Sequence, residues 1–263
     1  MTDEITSKHQ GPPSLAHQVP VDSRPGFEPD EDAWPQIKAR AAAACGTDEV
    51  RTVAIAGIDH LYVMRAATRT EFDAYFNMAQ SPEMALQAAR SLASACLLWP
   101  ERRVLNADEK RLPSVPHRLC DAIETWAGAS KPVEEAVGSD PDEIGPLADR
   151  EKLLLTQYRE AGQLKRCVFQ TTPLDFEEHD QNFVRLVVKR PPLGVYQAFM
   201  TSFQKGSDKA GACYDMAMSC IVEPNTTEGV RSVLASHPGI PVKLVDVLVT
   251  MAGAGQRIST GKR

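Results

Sequence analysis

Residues 113–129, PSVPHRLCDAIETWAGA, and residues 238–254, PGIPVKLVDVLVTMAGA, agree at eight of 17 positions when the chain is laid against itself at an offset of 125. Unrelated segments of ordinary composition agree at roughly one position in seventeen. Upstream the match continues at an offset of 124, where Val63 meets Val187, Ala74 meets Ala198, Gln80 meets Gln204, Ala88 meets Ala212, Ala93 meets Ala217, Cys96 meets Cys220 and Pro100 meets Pro224. Conservative pairs fill the intervals: Arg65 with Lys189, Phe72 with Tyr196, Tyr75 with Phe199, Leu97 with Ile221. The repeated positions are apolar residues, prolines and glycines, not side chains that do chemistry, so what recurs is the framework of a fold.

One unit predicts the order of elements in both halves. A helix over Ala33–Ala44, and its counterpart over Leu147–Ala161, opens each. Leu153, Leu154, Gln157 and Tyr158 show helical spacing in the second. Two strands follow: VRTVAIAG and IDHLYVMRA turning at Gly57, then KRCVFQTT and NFVRLVVKR separated by the polar stretch PLDFEEHDQ. Thr68 or Thr70 is placed to cap a helix over EFDAYFNMA, with Glu71 in its first turn, and Pro191 and Pro192 serve the matching start before LGVYQAFMTSF. A longer helix runs from Pro82 to Leu98, and from Ser207 to Val222, with Pro100 and Pro224 as stops. A last helix, Pro116–Ala127 and Pro241–Ala252, ends at Gly128 and Gly253, which suit a left-handed C-cap. The expected architecture is helix-rich α+β: two tandem copies of a two-stranded hairpin covered by three to four helices.

The remaining segments set the domain limits. Residues 1–32 carry five prolines and little apolar periodicity and read as a disordered arm. The first repeat spans 33–129. Residues 130–146, SKPVEEAVGSDPDEIGP, hold five carboxylates and read as a flexible acidic linker, with Pro132–Val137 able to form a helical turn. The second repeat spans 147–255, and 256–263 is a basic tail.

With 29 basic and 35 acidic residues, the net charge of -6 disfavours a nucleic-acid partner. No apolar run is long enough to span a bilayer, and the N-terminus lacks a signal-peptide stretch, so no membrane partner is expected. The cysteines at 45, 96, 120, 167, 213 and 220 form no CxxC pair and read as small buried apolar residues, with a bridge between helices left open.

A search for chemistry returns little. The tail GAGQRISTGKR is not a phosphate-binding loop: five residues separate Gly255 from Gly261, Arg263 stands where a hydroxyl residue is required, and no helix follows. Asp175, Glu177, Glu178, His179 and Asp180 gather carboxylates in one loop, yet consecutive side chains on a turn point apart. His60 lies beside Asp59 in the first hairpin. His117 and Cys120 are one helical turn apart without further ligands, and the second unit has Val242 and Val245 there. No nucleophile elbow, carboxylate pair or dinucleotide fingerprint is present. The expectation is a non-enzymatic protein with no catalytic, cofactor-binding or metal-binding residues and no cofactor.

The pattern of a strand leading into VMRAATRTEFDAYF, an alanine-rich helix ARSLASACLLWP and a closing helix LCDAIETWAGA resembles phage tail assembly chaperone proteins. The second copy, VVKRPPLGVYQAF, YDMAMSCIVEP and LVDVLVTMAGAG, fits more loosely. The resemblance covers residues 33–129 and 148–255 and departs from the family in carrying the unit twice. It implies binding of the tape measure or tail tube protein during virion assembly in the host cytoplasm, without turnover. Retention as a permanent head, neck or baseplate component is the alternative. Two units on a flexible spacer would engage two sites on one elongated partner, with Arg69, Tyr75 or the hairpin edges as contacts. A metal-dependent enzyme built on the acidic loop is the remaining class.

Overall fold

A computed structural model of the chain describes residues 28–135, 137, 146–158, 163–171 and 183–253. The elements, in order, are α1 (Trp34–Cys45), β1 (Val50–Ala54), β2 (Leu61–Arg65), α2 (Arg69–Ala79), α3 (Ala85–Cys96), β3 (Leu97–Trp99), α4 (Arg102–Arg111), α5 (Val115–Trp126) and β4 (Val133–Glu135). The second half continues with α6 (Pro146–Gln157), β5 (Leu164–Gln170), β6 (Phe183–Lys189), α7 (Leu193–Lys205), α8 (Lys209–Cys220), β7 (Ile221–Glu223), α9 (Thr227–Ser236) and α10 (Ile240–Met251). The chain is therefore a helix-rich α+β protein with two antiparallel sheets, ordered β1-β2-β3 and β4-β5-β6-β7.

The bounds of the elements run in parallel. α3 and β3 recur as α8 and β7 at an offset of 124, and α4 and α5 recur as α9 and α10 at an offset of 125. The extra residue falls in the loop at Asn225–Thr226, before α9. Val63↔Trp99 and Met64↔Leu97 flank a register shift, and so do Val187↔Glu223 and Val188↔Ile221. Trp99–Pro100 and Glu223–Pro224 are both cis.

Several expectations require correction. Each hairpin gains a third strand, because the helix read as reaching Leu98 or Val222 stops at Cys96 or Cys220. The residue before a proline avoids the helical region, and the extended Leu97 and Leu98 then point to opposite faces of the sheet. Leu97 enters the core under α2, α3 and α5, and Leu98 meets α1. Helices α4 and α9 were not anticipated: RRVLNADEKR buries little beyond Leu105 and Asp108, and TEGVRSVLAS buries Val230 and Leu234 one turn apart.

The segment read as an acidic linker contains β4, which lies along β5 with Glu134 opposite Cys167. Glu134 pairs with Lys165, and Glu135 with Arg166 at 3.3 Å. Its acids are thus partners for the basic residues of the strand beside it, and the helical turn considered for Pro132–Val137 does not form. At the arm's end, Glu31–Ala33 make a 3-10 turn that leads into α1. Residues 1–27, the loop containing His179, and residues 254–263 of the tail lie outside the described residues.

Thr68, not Thr70, caps α2. Its hydroxyl accepts from the Glu71 backbone N–H at 3.3 Å while the Glu71 carboxylate accepts from the Thr68 N–H at 2.9 Å, a reciprocal box. Arg65, buried at the end of β2, closes a two-pronged pair on the same carboxylate at 2.7 and 2.9 Å and also donates to the Ala95 carbonyl. The Arg65 guanidinium and these N–H and O–H donors hold the Glu71 carboxyl at a pKa of about 2. A folded-state pKa below the unfolded value means that the ionised form stabilises the fold above about pH 4.5 and that this contribution vanishes as pH falls toward 2. Glu71→Gln is expected to unfold about 2 kcal/mol more easily at neutral pH, allowing for solvent screening. Urea titrations at pH 7 and pH 2.5 should show that difference shrinking on acidification.

The two halves are not beads on a spacer. Phe76 of α2 and Val242 of α10 pack against the cores of both halves. Asn77 of α2 sits at the start of α8, where its Oδ1 accepts from the Lys209 and Ala210 N–H groups at 2.9 and 3.0 Å, capping a helix of the other half. The Arg69 guanidinium stacks 3.5 Å from the Tyr214 ring. Gly239 donates to the Ala127 carbonyl at 2.8 Å. A Cβ at Gly239 would lie 2.6 Å from that of Ala129, so only glycine permits this approach. Arg51 of β1 reaches the Thr171 carbonyl at 2.7 Å. The avidity arrangement of two freely moving units is therefore replaced by one joined body.

Candidate protein-binding groove

A cavity opens where the two halves differ. In the first half, α1 lies on the outer face of its sheet through Ile37 and Ala41, which bury Val63 and Leu98 with Trp34 and Trp99 at the margin. In the second half, α6 takes the corresponding place but is fixed by charge. Arg166 of β5 donates from Nε and Nη2 to the two Glu151 oxygens at 2.9 and 2.6 Å, with both side chains below 10% exposure. Arg150 binds Glu223 at 3.1 Å. Among the described side chains of α6, Glu151 is the most buried, with Leu154 and Tyr158 half-buried on the same stripe. Leu153 is left 68% exposed, although its spacing had marked it for the core.

A cavity of about 430 Å³ opens between α6, β7 and the start of α9. Leu153, Leu154, Tyr158, Met218, Val222 and Pro224 supply its apolar lining, and Arg150, Gln157, Glu223, Asn225 and Thr227 its polar rim. Val222 is the counterpart of the buried Leu98, and Glu223 stands where the first half has Trp99. The volume takes two or three apolar side chains of a segment lying across the mouth. Thr226 fixes one edge by capping α9, accepting from the Gly229 N–H at 3.0 Å.

The other sequence candidates are placed elsewhere. Arg69 stacks on Tyr214 and pairs with Asp73, and the Tyr75 hydroxyl donates to Glu124, so both are occupied inside the molecule and neither is a free contact. His60 faces Asp108 rather than its neighbour Asp59: Nε2 lies 3.1 Å from Asp108 Oδ2 without the alignment of a hydrogen bond. The same oxygen accepts from the Tyr62 hydroxyl at 2.6 Å. Burial and this carboxylate push the Tyr62 phenol above its usual range, so the cluster is a neutral-tyrosine anchor joining the hairpin to α4. His117 is exposed while Cys120 on the same helix is buried, so the pair does not converge.

All six cysteines are free thiols. Burial pushes Cys96, Cys120, Cys167 and Cys213 up to about 12 and Cys220 up to about 11, which withholds the thiolate that a nucleophile or metal ligand requires. Among the described residues, no group of three or more His, Cys, Asp and Glu side chains is placed to hold a metal ion, and no single helix is long and apolar enough to cross a membrane.

Sequence reasoning missed the groove because its signal is non-local: three successive leucines in α6 read as core unless the Glu151–Arg166 pair is known to orient the helix. In comparisons with protein families, curated proteins and solved structures, none matches this chain.

Proposed function

We propose that this protein is a non-enzymatic binding protein of the phage tail assembly chaperone kind, built from two copies of one αβ unit, that holds a tape measure or tail tube protein during virion assembly in the host cytoplasm. The groove between α6, β7 and α9 is the observation that carries the reading. It is an open cavity lined by both polar and apolar side chains between α6 and β7, where the first half packs α1 on β3 through Ile37, Ala41 and Leu98.

Binding of this type needs no turnover. Each apolar side chain transferred into the groove contributes about 1.5–3 kcal/mol before the ordering cost of the segment is subtracted. The test is co-expression of the full chain with the tape measure or tail tube protein of the same phage, followed by size-exclusion chromatography. Leu153→Asp, at an exposed position, is expected to fold normally and weaken the complex more than tenfold. Unchanged co-elution of that variant would remove the groove from the reading.

The contacts that join the halves also favour a second reading, a permanent head, neck or baseplate part, because halves held together suit a fixed place in a symmetric assembly. Peptides of this chain at constant stoichiometry in purified particles would select it, and their absence would select the chaperone.

A further inference from the structure

The seam between the halves is directional, and each of its two faces has a counterpart that the described residues leave uncovered. In the seam, α2 and the C-terminal end of α5 from the first half meet α8 and the N-terminal end of α10 from the second. A two-fold arrangement would repeat these contacts with the halves exchanged, placing α7 on α3 and the end of α10 on the start of α5. It does not do so. Leu193, the counterpart of Arg69, is 71% exposed, and Gln197 and Thr201, the counterparts of Asp73 and Asn77, are exposed as well. A Cβ on Gly128 would press on Ile240 at 2.7 Å, whereas one on Gly253, in the same Ala-Gly motif, would meet nothing within 4 Å among the described residues.

The receiving face of the first half is open in the same way. Ala210 is 2% exposed because α2 covers it, while its counterpart Leu86 is 39% exposed, beside Met84. The start of α8 is capped by Asp208 and by Asn77 from across the seam, whereas α3 has no side-chain cap. The seam within the chain is made by polar groups together with Phe76 and Val242, and the two uncovered faces carry apolar side chains of their own: Leu193 on one, Met84 and Leu86 on the other.

We propose that copies of this chain associate head to tail, with α7 and the end of α10 of one copy seated on α3 and the start of α5 of the next, continuing the internal seam from molecule to molecule. Thr201 stands where Asn77 does and brings a hydroxyl to the uncapped start of α3. Ser114 stands where Gly239 does, so the backbone contact at that end is wider than the internal one and the α7–α3 contact dominates. A directional contact of this kind gives a closed ring if its rotation closes and a filament if it does not. The inference is independent of what occupies the groove of the second half.

The test uses the full chain and two variants at exposed positions, Leu193→Asp and Leu86→Asp, in sedimentation velocity over a hundredfold range of concentration. The parent is expected to form species larger than a dimer. Each variant retains one intact face, so each alone should be monomeric, and an equimolar mixture should form a dimer and nothing larger. A parent that stays monomeric throughout, a single variant that still self-associates, or a mixture that fails to pair when the parent assembles would each overturn the proposal. Circular dichroism of the variants, unchanged from the parent, excludes misfolding as the cause of a monomer.

Discussion

Glu151→Ala is expected to lower the stability of the second half by about 3–5 kcal/mol, the cost of leaving a buried guanidinium without its partner. The Arg166 side chain is 6% exposed, and its contact with the half-exposed Glu135 at 3.3 Å is longer than the paired bonds to Glu151. Because this pair and Arg150–Glu223 hold α6 on the sheet, the helix should also detach, and proteolysis within residues 146–158 should accelerate. Replacing both partners with apolar residues of similar size, Glu151→Leu with Arg166→Met, should recover most of the loss, since neither charge is then stranded. Urea denaturation of the three proteins checks this, and a single variant within about 0.5 kcal/mol of the parent would contradict a buried pair.

Gly128→Ala and Gly253→Ala form the second test, because the two glycines share a motif and a left-handed backbone, with φ of +74° and +92°, and differ in what lies against them. Gly253→Ala should cost about 1 kcal/mol, the strain of that conformation for a residue with a Cβ. Gly128→Ala adds the collision with Ile240 across the seam and should cost about 3 kcal/mol in all. Calorimetry should also show the Gly128 variant losing the cooperativity between halves, with its transition broadening or splitting. Equal costs at the two positions would mean that the halves do not press together at the end of α5.

The sequence announces the helices that punctuation delimits. Pro116 and Gly128, or Pro241 and Gly253, bracket α5 and α10 closely, and Thr68 with Glu71 marks the start of α2, because caps and breakers act within one turn of the residues that carry them. The strands β3 and β7 stay hidden because two or three apolar residues after an apolar helix carry no turn signal, and their pairing with β2 and β6 is long-range. β4 is hidden for a related reason: Val-Glu-Glu is poor strand sequence by itself, and its match to Lys165 and Arg166 becomes visible only when the strands are side by side.

The seam was legible only as a difference between repeats. Asn77 against Thr201, and Gly239 against Ser114, are positions where the two units diverge in residues small or polar enough to reach another backbone. Arg69 and Tyr75 were expected to face a partner as exposed residues of α2. They face Tyr214 and Glu124 instead, because the second half covers that side of the helix.

Hydrogen–deuterium exchange of the full chain, alone and in its complex with the tail tube or tape measure protein, tests the binding role most directly. Slower exchange confined to α6 and to the stretch from Val222 to Val230 is the expected result, since these segments line the groove. A complex that leaves those segments exchanging as in the free chain, while protecting another surface, would contradict the groove as the binding site, and failure of either protein to bind would contradict the role itself.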